Sequence, residues 1–422
     1  MVRGFLGPCQ RIVTFSSFES CLSTNDWLPT FQVQSPEVWY PRKCKQTEFL
    51  GKHASTCLTR GAHLSKTRFS SFTKVAMALF GRKKTTVGLD IGSGLVKVAV
   101  VDHSKSTPEL VKVAITPLPD DAIVDGEVMD PHLVSDVIRT TIEAVGANTK
   151  AVVAAVGGRD VIIKRIKTER VKEAQARELM RWEAEQHVPD VDSVELDFQI
   201  LDDDGDGRDE MSVLLVAAKR DLVEAKLRIL AEAGITPSSM DVDAFALHNA
   251  FELNYPAAMS GAVGLVNIGH EVTNINILDD GIPILTRDLP IGTRRIREDL
   301  QREHGLSAAD AEALIRGYDR SPQLDSVIAQ RTEEIATGLE RAIAFLATSL
   351  KGDGQMKAVY TCGGGSRTPG LTESLGQRLR KPVELANPLT TMSVREGALE
   401  SLVTDEVAPL LMLSIGLALR KN

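Results

Sequence analysis

The chain has 422 residues, 43% of them hydrophobic and 25% charged, a globular composition that excludes a wholly disordered or fibrous chain. Its length fits two or three domains. The 49 Lys and Arg against 57 Asp and Glu give a net charge of −8. This balance argues against general nucleic-acid binding, because phosphate backbones are held mainly by clustered Lys and Arg. The apolar run Val407–Leu419 is shorter than the about 20 residues that a bilayer span needs, so we expect no transmembrane segment.

The segment 1–76 differs in composition from the rest of the chain. It contains 10 Lys and Arg but only 4 Asp and Glu, 17 Ser or Thr, and four of the five cysteines. Such a segment has too little contiguous apolar surface to offset the entropy of ordering it. A transit peptide and a disulfide framework are alternatives. The favoured interpretation is a non-native or unstructured extension over the segment 1–76, with Met77 as the initiator.

A β-unit occurs twice in the remaining sequence. The copies read VGLDIGSGLVKVAVVD (Val87–Asp102) and GLVNIGHEVTNINILDD (Gly264–Asp280), and they align without a gap, so that Asp90 falls on Asn267 and Gly92 on Gly269. Each copy predicts an apolar strand, a polar turn with glycine and an alternating strand. A third strand follows each copy, over Glu109–Pro119 and Ile282–Pro290. Two similar β-units predict a duplicated domain rather than a solenoid, whose period would be about 20–50 residues.

The turn of the first copy has the residue types of a phosphate site. Gly92 and Gly94 lack a Cβ where the backbone must approach a ligand closely, and successive N–H groups can point at phosphate oxygens. Asp90 ends the first strand, where it can hold a hydrated Mg²⁺. Lys97 would face a phosphate as a point charge. A hairpin turn capped by an aspartate is the alternative for one copy alone, and the second copy favours the phosphate site.

The segment 151–239, between the two β-units, predicts a small α+β unit. Strands are indicated by AVVAAVGG and DVIIKRIK, and a hairpin by DFQILD with MSVLLVAAK. Helices are indicated by EAQARELMRWEAEQHV and RDLVEAKLRILAEAGI. The acidic run Asp202–Gly207 resembles a calcium loop, but Val213 stands where a bidentate Glu is required, so a solvated hairpin is favoured.

The C-terminal third predicts a long helix and a glycine-rich turn. Ser321–Leu350 has one apolar face, which indicates core packing. In AVYTCGGGSRTPGLTESLGQRL (Ala358–Leu379) a strand runs into a Gly-Gly-Gly-Ser turn, and Pro369 opens an amphipathic helix. Three glycines leave a flat floor for a nucleoside, and the helix N-terminus suits an anion or a ribose. A flexible loop is the alternative for such a turn taken alone.

Taken together, the two DIG-like turns and the late GGGS turn resemble the phosphate-1, phosphate-2 and adenosine elements of the actin/Hsp70/sugar-kinase fold. Within it, the sequence is most similar to the family of type IV pilus assembly protein PilM, itself similar to the cell-division protein FtsA. The similarity covers roughly Met77 to the C-terminus. The stretches that carry it are MALFGRKKTTVGLDIGSGLVKVAVV, VDAFALHNAFELNYP, RDLPIGTRRIREDLQREHGLSAADAEALI and APLLMLSIGLALR.

This resemblance implies an α/β protein with an actin-like, duplicated two-lobe fold and an inserted subdomain of the FtsA type, called 1C or SHS2. The first lobe would comprise the segments 77–150 and 388–422. The inserted subdomain would comprise the segment 151–239, and the second lobe the segment 240–387. The nucleotide would lie in the cleft between the lobes.

The resemblance also implies ATP and Mg²⁺ as ligands. The residues it assigns to phosphates and metal are Asp90, Gly92, Ser93, Gly94 and Lys97, with Asp90 as the metal ligand. Asn267 and Gly269 would form the second phosphate turn. The adenosine would contact Gly363, Gly364, Gly365 and Ser366. Asn267 stands where the actin-like pattern usually has Asp, so we expect at most slow ATP hydrolysis.

Proteins of the PilM family bind ATP and the short cytoplasmic N-terminal peptide of the inner-membrane protein PilN. The resemblance therefore implies a cytoplasmic scaffold of the pilus alignment complex, which serves twitching motility. It would be held at the inner membrane through its protein partner, and self-association is left open. The alternatives are an FtsA-like cytoskeletal ATPase, which would usually end in an amphipathic membrane helix, and a small-molecule kinase, which would need a catalytic carboxylate.

Overall fold

The computed structural model describes residues 85–171, 173–188, 190–201, 209–317, 320–346, 355–400 and 402–420. Three expectations lie outside these residues: the extension over the segment 1–76 with its start at Met77, the acidic run at 202–207, and the end of the long helix at 347–350.

The strands within the described residues follow the predicted β-units closely. They are β1 (Thr85–Ile91), β2 (Leu95–Asp102), β3 (Glu109–Pro117), β4 (Ile123–Val124), β5 (Glu127–Val128), β6 (Val152–Val156), β7 (Val161–Glu169), β8 (Val194–Ile200), β9 (Glu210–Lys219), β10 (Ser239–Val242), β11 (Ala262–Ile268), β12 (Thr273–Asp279), β13 (Ile282–Leu289), β14 (Met356–Cys362), β15 (Val383–Leu385) and β16 (Ser393–Val394).

The helices within the described residues lie mainly between and after these strands. They are α1 (Pro131–Val145), α2 (Glu173–Glu185), α3 (Arg220–Glu232), α4 (Asp243–Asn254), α5 (Thr293–His304), α6 (Ala308–Arg316), α7 (Pro322–Leu346), α8 (Leu371–Leu379), α9 (Thr404–Val407) and α10 (Met412–Ala418). Among the helices of the described residues, none is long and apolar enough to cross a membrane.

Two sheets with the same strand topology form the body of the fold. The six-stranded sheet has the order β10-β6-β1-β2-β3-β16, and the five-stranded sheet has the order β13-β12-β11-β14-β15. In each, three antiparallel strands are followed by two strands that add in parallel on the side of the first strand. The sequence repeat is therefore a structural repeat, and the predicted duplication is confirmed.

A third, smaller sheet has the order β7-β9-β8 and is followed in sequence by α3. One boundary predicted for the inserted unit is wrong. Strand β6 was assigned to it but pairs in parallel with β1, with Val152 opposite Val87, so it belongs to the six-stranded sheet. Every residue of β6 is buried, as expected for a parallel strand inside a sheet. The division into lobes and an inserted subdomain stays a prediction.

The long predicted helix contributes its apolar face to the core of the five-stranded sheet. The buried residues of this face are Ile328, Ile335, Leu339, Ala342 and Leu346. The later helix α8 begins at Leu371 rather than at the predicted Pro369, because Gly370 adopts a left-handed φ of 82° at its N-cap.

Helices α4 and α10 cross closely next to the two sheets. A buried apolar cluster joins side chains from β6, β11, α4 and α10. At the crossing, a Cβ added to Gly416 would lie 1.7 Å from the carbonyl oxygen of Ala246. The backbone approach of the two helices therefore depends on the absence of a side chain at Gly416.

Substituting Gly416→Ala should lower the thermal midpoint of unfolding, because the added methyl overlaps the Ala246 carbonyl. Overpacking of this kind typically costs about 1–3 kcal/mol. The matched control is Gly376→Ala in α8, where an added Cβ would meet its nearest atoms at 3.6 Å, an ordinary contact. There the helix propensity of alanine should stabilise by about 0.5–1 kcal/mol. Equal midpoints for both variants, measured by calorimetry, would contradict the tight crossing.

Candidate functional site

The first glycine turn holds a charge pair at its base. Antiparallel register places Asp90 of β1 directly opposite Lys97 of β2. The Lys97 Nζ lies 2.5 Å from Asp90 Oδ2, and both side chains are largely buried. The turn is closed by a hydrogen bond from the Gly92 amide to the Leu95 carbonyl, 3.1 Å long. Because Lys97 Nζ lies 3.9 Å from where a Gly92 Cβ would be, the ammonium is next to the turn backbone.

The second glycine turn repeats the geometry without the charges. The Gly269 amide donates to the Val272 carbonyl at 2.9 Å, the counterpart of the bond in the first turn. Asn267 lies opposite Asn274, and its Nδ2 donates to Asn274 Oδ1 at 3.1 Å. Asn274 Nδ2 donates in turn to Asp288 Oδ1 at 2.6 Å. Burial raises the pKa of Asp288, and the hydrogen bond from Asn274 acts in the opposite direction and lowers it. Two hydrogen-bonded side-chain amides thus stand in the positions of the Asp–Lys pair.

The two turns are in contact. A Cβ added to Gly94 would lie 2.9 Å from His270 Cγ, so the histidine ring packs against the first turn and requires glycine there. The amide of Leu118, just after β3, donates to the Gly94 carbonyl at 2.9 Å. Ser93 is half-buried between the two glycines of this turn. The structure therefore brings together the residues that the sequence assigned to phosphates.

The three glycines of the late turn have three different environments. A Cβ on Gly363, whose φ is 82°, would lie 2.4 Å from Asn267 Oδ1. A Cβ on Gly365 would lie 2.4 Å from Ile268 Cγ2. At Gly364, no heavy atom of the described residues, its two chain neighbours aside, lies within 4 Å of the Cβ position. Two glycines therefore allow close packing on β11, while Gly364 has open space beside it.

Two side chains flanking these glycines serve the turn itself. The Ser366 hydroxyl donates to the Gly363 carbonyl at 2.7 Å, and the residue is 4% exposed. Its hydroxyl therefore shapes the turn. The Cys362 Sγ lies 3.8 Å from Asn267 Oδ1, and burial raises the pKa of the thiol to about 12. Such a thiol is not a nucleophile near neutral pH.

Two charged residues near this site were missed by sequence reasoning. Asp243 is the first residue of α4, and its Oδ2 lies 2.1 Å from where a Gly157 Cβ would be, against the end of β6. Lys226 belongs to α3 and interacts electrostatically with Asp243 and Asp90. The only sequence signal was an acidic residue at a helix start, which is ordinary. The approach of Lys226 depends on how α3 lies next to the sheet.

Burial dominates the electrostatics of these two groups. It raises the pKa of Asp243 to about 7, with the Asp90 charge acting in the same direction and Lys226 opposing. Burial lowers the pKa of Lys226, and the charges of Asp243 and Asp90 act in the opposite direction and raise it. Asp90 and Lys97 form an ion pair at the first turn, and Asp243 and Lys226 lie close enough to interact electrostatically with Asp90 and with each other. Strongly perturbed groups of this kind are typical of functional sites.

The residues fit a nucleotide with a divalent metal. The glycine turns offer uncovered backbone for phosphate oxygens, and the ammonium groups of Lys97 and Lys226 offset phosphate charge. Mg²⁺ is usually bound by one or two carboxylates together with phosphates and water, which suits Asp90. The open space at Gly364 leaves room for a nucleoside.

These paired sheets and turns define an actin-like ATPase fold. The chain belongs to the family described as type IV pilus assembly protein PilM, whose family model matches residues 88–422. The family and the actin-like fold predicted from the sequence are confirmed, and the inserted 1C or SHS2 subdomain stays a prediction.

A solved structure supports the same assignment. The chain is similar to the structure described as the PilM-PilN type IV pilus biogenesis complex, with 27% identity and a TM-score of 0.70 over 79% of this chain and 98% of that chain. A weaker similarity is to the ethanolamine utilization protein EutJ from Carboxydothermus hydrogenoformans, with 17% identity over 80% and 90% of the chains and a TM-score of 0.48. The structure of MreB5 of Spiroplasma citri bound to ADP matches 80% of this chain and 95% of that chain, with 11% identity and a TM-score of 0.46.

The raised pKa of Asp243 predicts a pH dependence of stability. The folded chain keeps this proton up to about pH 7, whereas an unfolded aspartate releases it near 3.8. The folded state therefore binds more protons between these values, and stability should fall as the pH rises through that window. The Asp243→Asn variant should lose this contribution, so its thermal midpoint should fall less than that of the wild type between about pH 5 and about pH 8.

The control for this measurement is Asp405→Asn, at an exposed position in α9. It should keep the wild-type dependence on pH. Both variants should be compared without nucleotide or metal. An Asp243→Asn profile parallel to the wild type would show that the carboxyl is not protonated in the folded chain.

Proposed function

We propose that this member of the PilM family is an ATP-binding scaffold of type IV pilus assembly. Its partner is the N-terminal peptide of a PilN-like inner-membrane protein, which holds it at the cytoplasmic side of that membrane within the pilus alignment complex. The observation that carries this proposal is the match to the PilM-PilN complex structure, which extends over 98% of that chain with a TM-score of 0.70. The FtsA-like and small-molecule kinase alternatives have no comparable support.

ATP and Mg²⁺ are the ligands that the cleft residues suit best. Asp90 would hold the hydrated metal, and Lys97 would turn from Asp90 toward the phosphates. The backbones of Gly92, Gly94 and Gly269 would approach the phosphates closely. Bound Mg²⁺-ATP supplies negative charge between the two lobes, which the basic groups on both sides can share.

Fast hydrolysis is not what these residues favour. Asn267 keeps the shape of an aspartate, but its amide cannot carry the charge that would help hold hydrated Mg²⁺. Its side chain is also engaged by Asn274, which is engaged by Asp288. We infer that the nucleotide acts chiefly as a structural ligand that closes the cleft.

A route from nucleotide to partner follows from the position of Lys226. This residue belongs to α3, next in sequence to the three-stranded sheet, yet it interacts with Asp90 and Asp243 beside the first turn. We infer that a change of charge in the cleft acts through this electrostatic interaction on Lys226, and through Lys226 on α3. We infer that nucleotide binding fixes the position of the unit around β7, β8 and β9, which then receives the membrane protein's peptide. Main-chain pairing with a sheet edge or a hydrophobic groove would suit such a peptide.

This proposal predicts reciprocal linkage between nucleotide and peptide. The N-terminal peptide of the PilN-like protein of the same organism should bind more tightly when a non-hydrolysable ATP analogue is present. By thermodynamic necessity, the peptide should raise the affinity for the analogue by the same factor. Isothermal calorimetry in both orders of addition measures both factors.

A scrambled peptide of the same composition is the control and should show no coupling. Peptide affinity that is indifferent to the analogue, together with ATP turnover faster than about 1 s⁻¹, would instead indicate an ordinary enzyme.

A further inference from the structure

A loop that follows the six-stranded sheet's strand β3 reaches the turn and helix of the second β-unit. This segment, residues 118–126 and here called the acidic strap, contains β4 and is anchored at Leu118 by the hydrogen bond to the Gly94 carbonyl. Asp125, with a φ of 52°, forms with Gly126 the two-residue turn between β4 and β5, where a positive φ is usual. Asp121 also adopts a left-handed φ, of 63°, which aspartate does more readily than most residues.

Two arginines of α5 and the histidine of the second turn hold the strap. Burial, and then the charge of Arg297, lower the pKa of His270, so its ring is neutral near neutral pH. His270, Arg294 and Arg297, here called the basic cluster, face Asp120 and Asp121. Arg297 Nη2 lies 3.0 Å from Asp120 Oδ2, and Arg294 Nη2 lies 2.8 Å from Asp121 Oδ1. His270 Nε2 lies 3.9 Å from Asp120 Oδ1. At the far end of the strap, the backbone amide of Asp125 donates a hydrogen bond to Glu271 Oε2 at 3.0 Å.

The basic cluster is built onto the second phosphate turn. The Thr293 and Arg294 amides at the start of α5 donate to the carbonyls of Gly269 and His270, at 3.1 and 2.8 Å. His270 Nδ1 lies 3.0 Å from Thr293 Oγ1, and its ring packs against Gly94 of the first turn. The cluster therefore adjoins both turns that the proposed function assigns to phosphates.

The ion pairs between strap and cluster are unequal in exposure. The Arg297 side chain is 16% exposed, whereas that of Asp120 is 58% exposed. The basic groups thus lie inward, beside the turns, and the carboxylates lie on the solvent side. Pairs with one exposed partner are weak. A phosphate group carries more charge than a carboxylate and accepts the two parallel hydrogen bonds that arginine donates, so it can compete for the same side chains.

We propose that the basic cluster binds the terminal phosphate of a nucleoside triphosphate, and that the acidic strap competes with this phosphate for the cluster. The inference rests on the proposed nucleotide site and adds a specificity element to it. Discrimination between triphosphate and diphosphate then resides in the side chains of His270, Arg294 and Arg297. The backbone turns hold the phosphates that the two nucleotides share.

The test is the affinity of a non-hydrolysable ATP analogue and of ADP, each measured with Mg²⁺ by calorimetry. Arg297→Gln should weaken the triphosphate by about tenfold or more and the diphosphate far less, as expected for a lost charged hydrogen bond. Asp120→Asn should change the affinity in the opposite direction. It removes the carboxylate that pairs with Arg297, so the chain should bind the triphosphate more tightly, with little change in its affinity for ADP. A residue that only supports the fold would not give opposite signs.

Two further variants keep the test decisive. Arg378→Gln breaks ion pairs with Glu333 and Glu340, which lie away from the turns, and should change neither affinity. Arg297→Lys keeps the charge and serves if Arg297→Gln does not fold; it should retain part of the discrimination. If Arg297→Gln lowers the affinity for both nucleotides equally, or if Asp120→Asn lowers the affinity for the triphosphate, the proposed role of the basic cluster is wrong. The nucleotide site itself would not be contradicted by either result. A wild-type chain that binds no nucleotide would overturn the proposed function and this inference together.

Discussion

The antiparallel register of β1 and β2 places one carboxylate and one ammonium group face to face at the base of a glycine turn. Both side chains are largely buried there, and each compensates the charge of the other at a distance of 2.5 Å. Asp243 and Lys226 interact electrostatically with Asp90, and burial raises the pKa of Asp243. A ligand that carries both phosphates and a divalent cation would supply opposite charges for these groups, which is the physical argument for the proposed nucleotide site.

Duplication explains why the second half of the site differs from the first. The same strand order and turn hydrogen bond recur in the second β-unit, but the register now pairs two asparagines, Asn267 and Asn274. An amide pair carries no charge and needs no counter-ion. The second copy therefore keeps the shape of a phosphate turn and gives up the charge that would assist the metal. In its place, α5 brings arginines to the edge of the turn, where they bridge to the loop after β3.

Local sequence patterns predicted the repeated turns, the late glycine turn and the long helix, because glycine spacing and apolar periodicity are properties of neighbouring residues. They could not place Lys226 or Asp243, whose approach depends on contacts between elements far apart in the chain. Strand β6 falls within the segment 151–239 that the sequence predicts as the inserted unit, yet it pairs with β1, because an apolar run does not indicate which strand it will pair with. Ser366, predicted to touch adenosine, has a hydroxyl bonded within its own turn, a detail that spacing does not reveal.

We propose that Asp90 alone, of the two duplicated positions, serves the metal of a bound nucleotide. The most direct measurement is the affinity for ATP with and without Mg²⁺ in Asp90→Asn and in its counterpart in the repeat, Asn267→Ala. We expect Asp90→Asn to abolish most of the gain in affinity that Mg²⁺ gives, whereas Asn267→Ala should weaken binding by a similar factor with and without the metal. An Asp90→Asn chain whose affinity still responds to Mg²⁺ as the wild type does would contradict this role for Asp90.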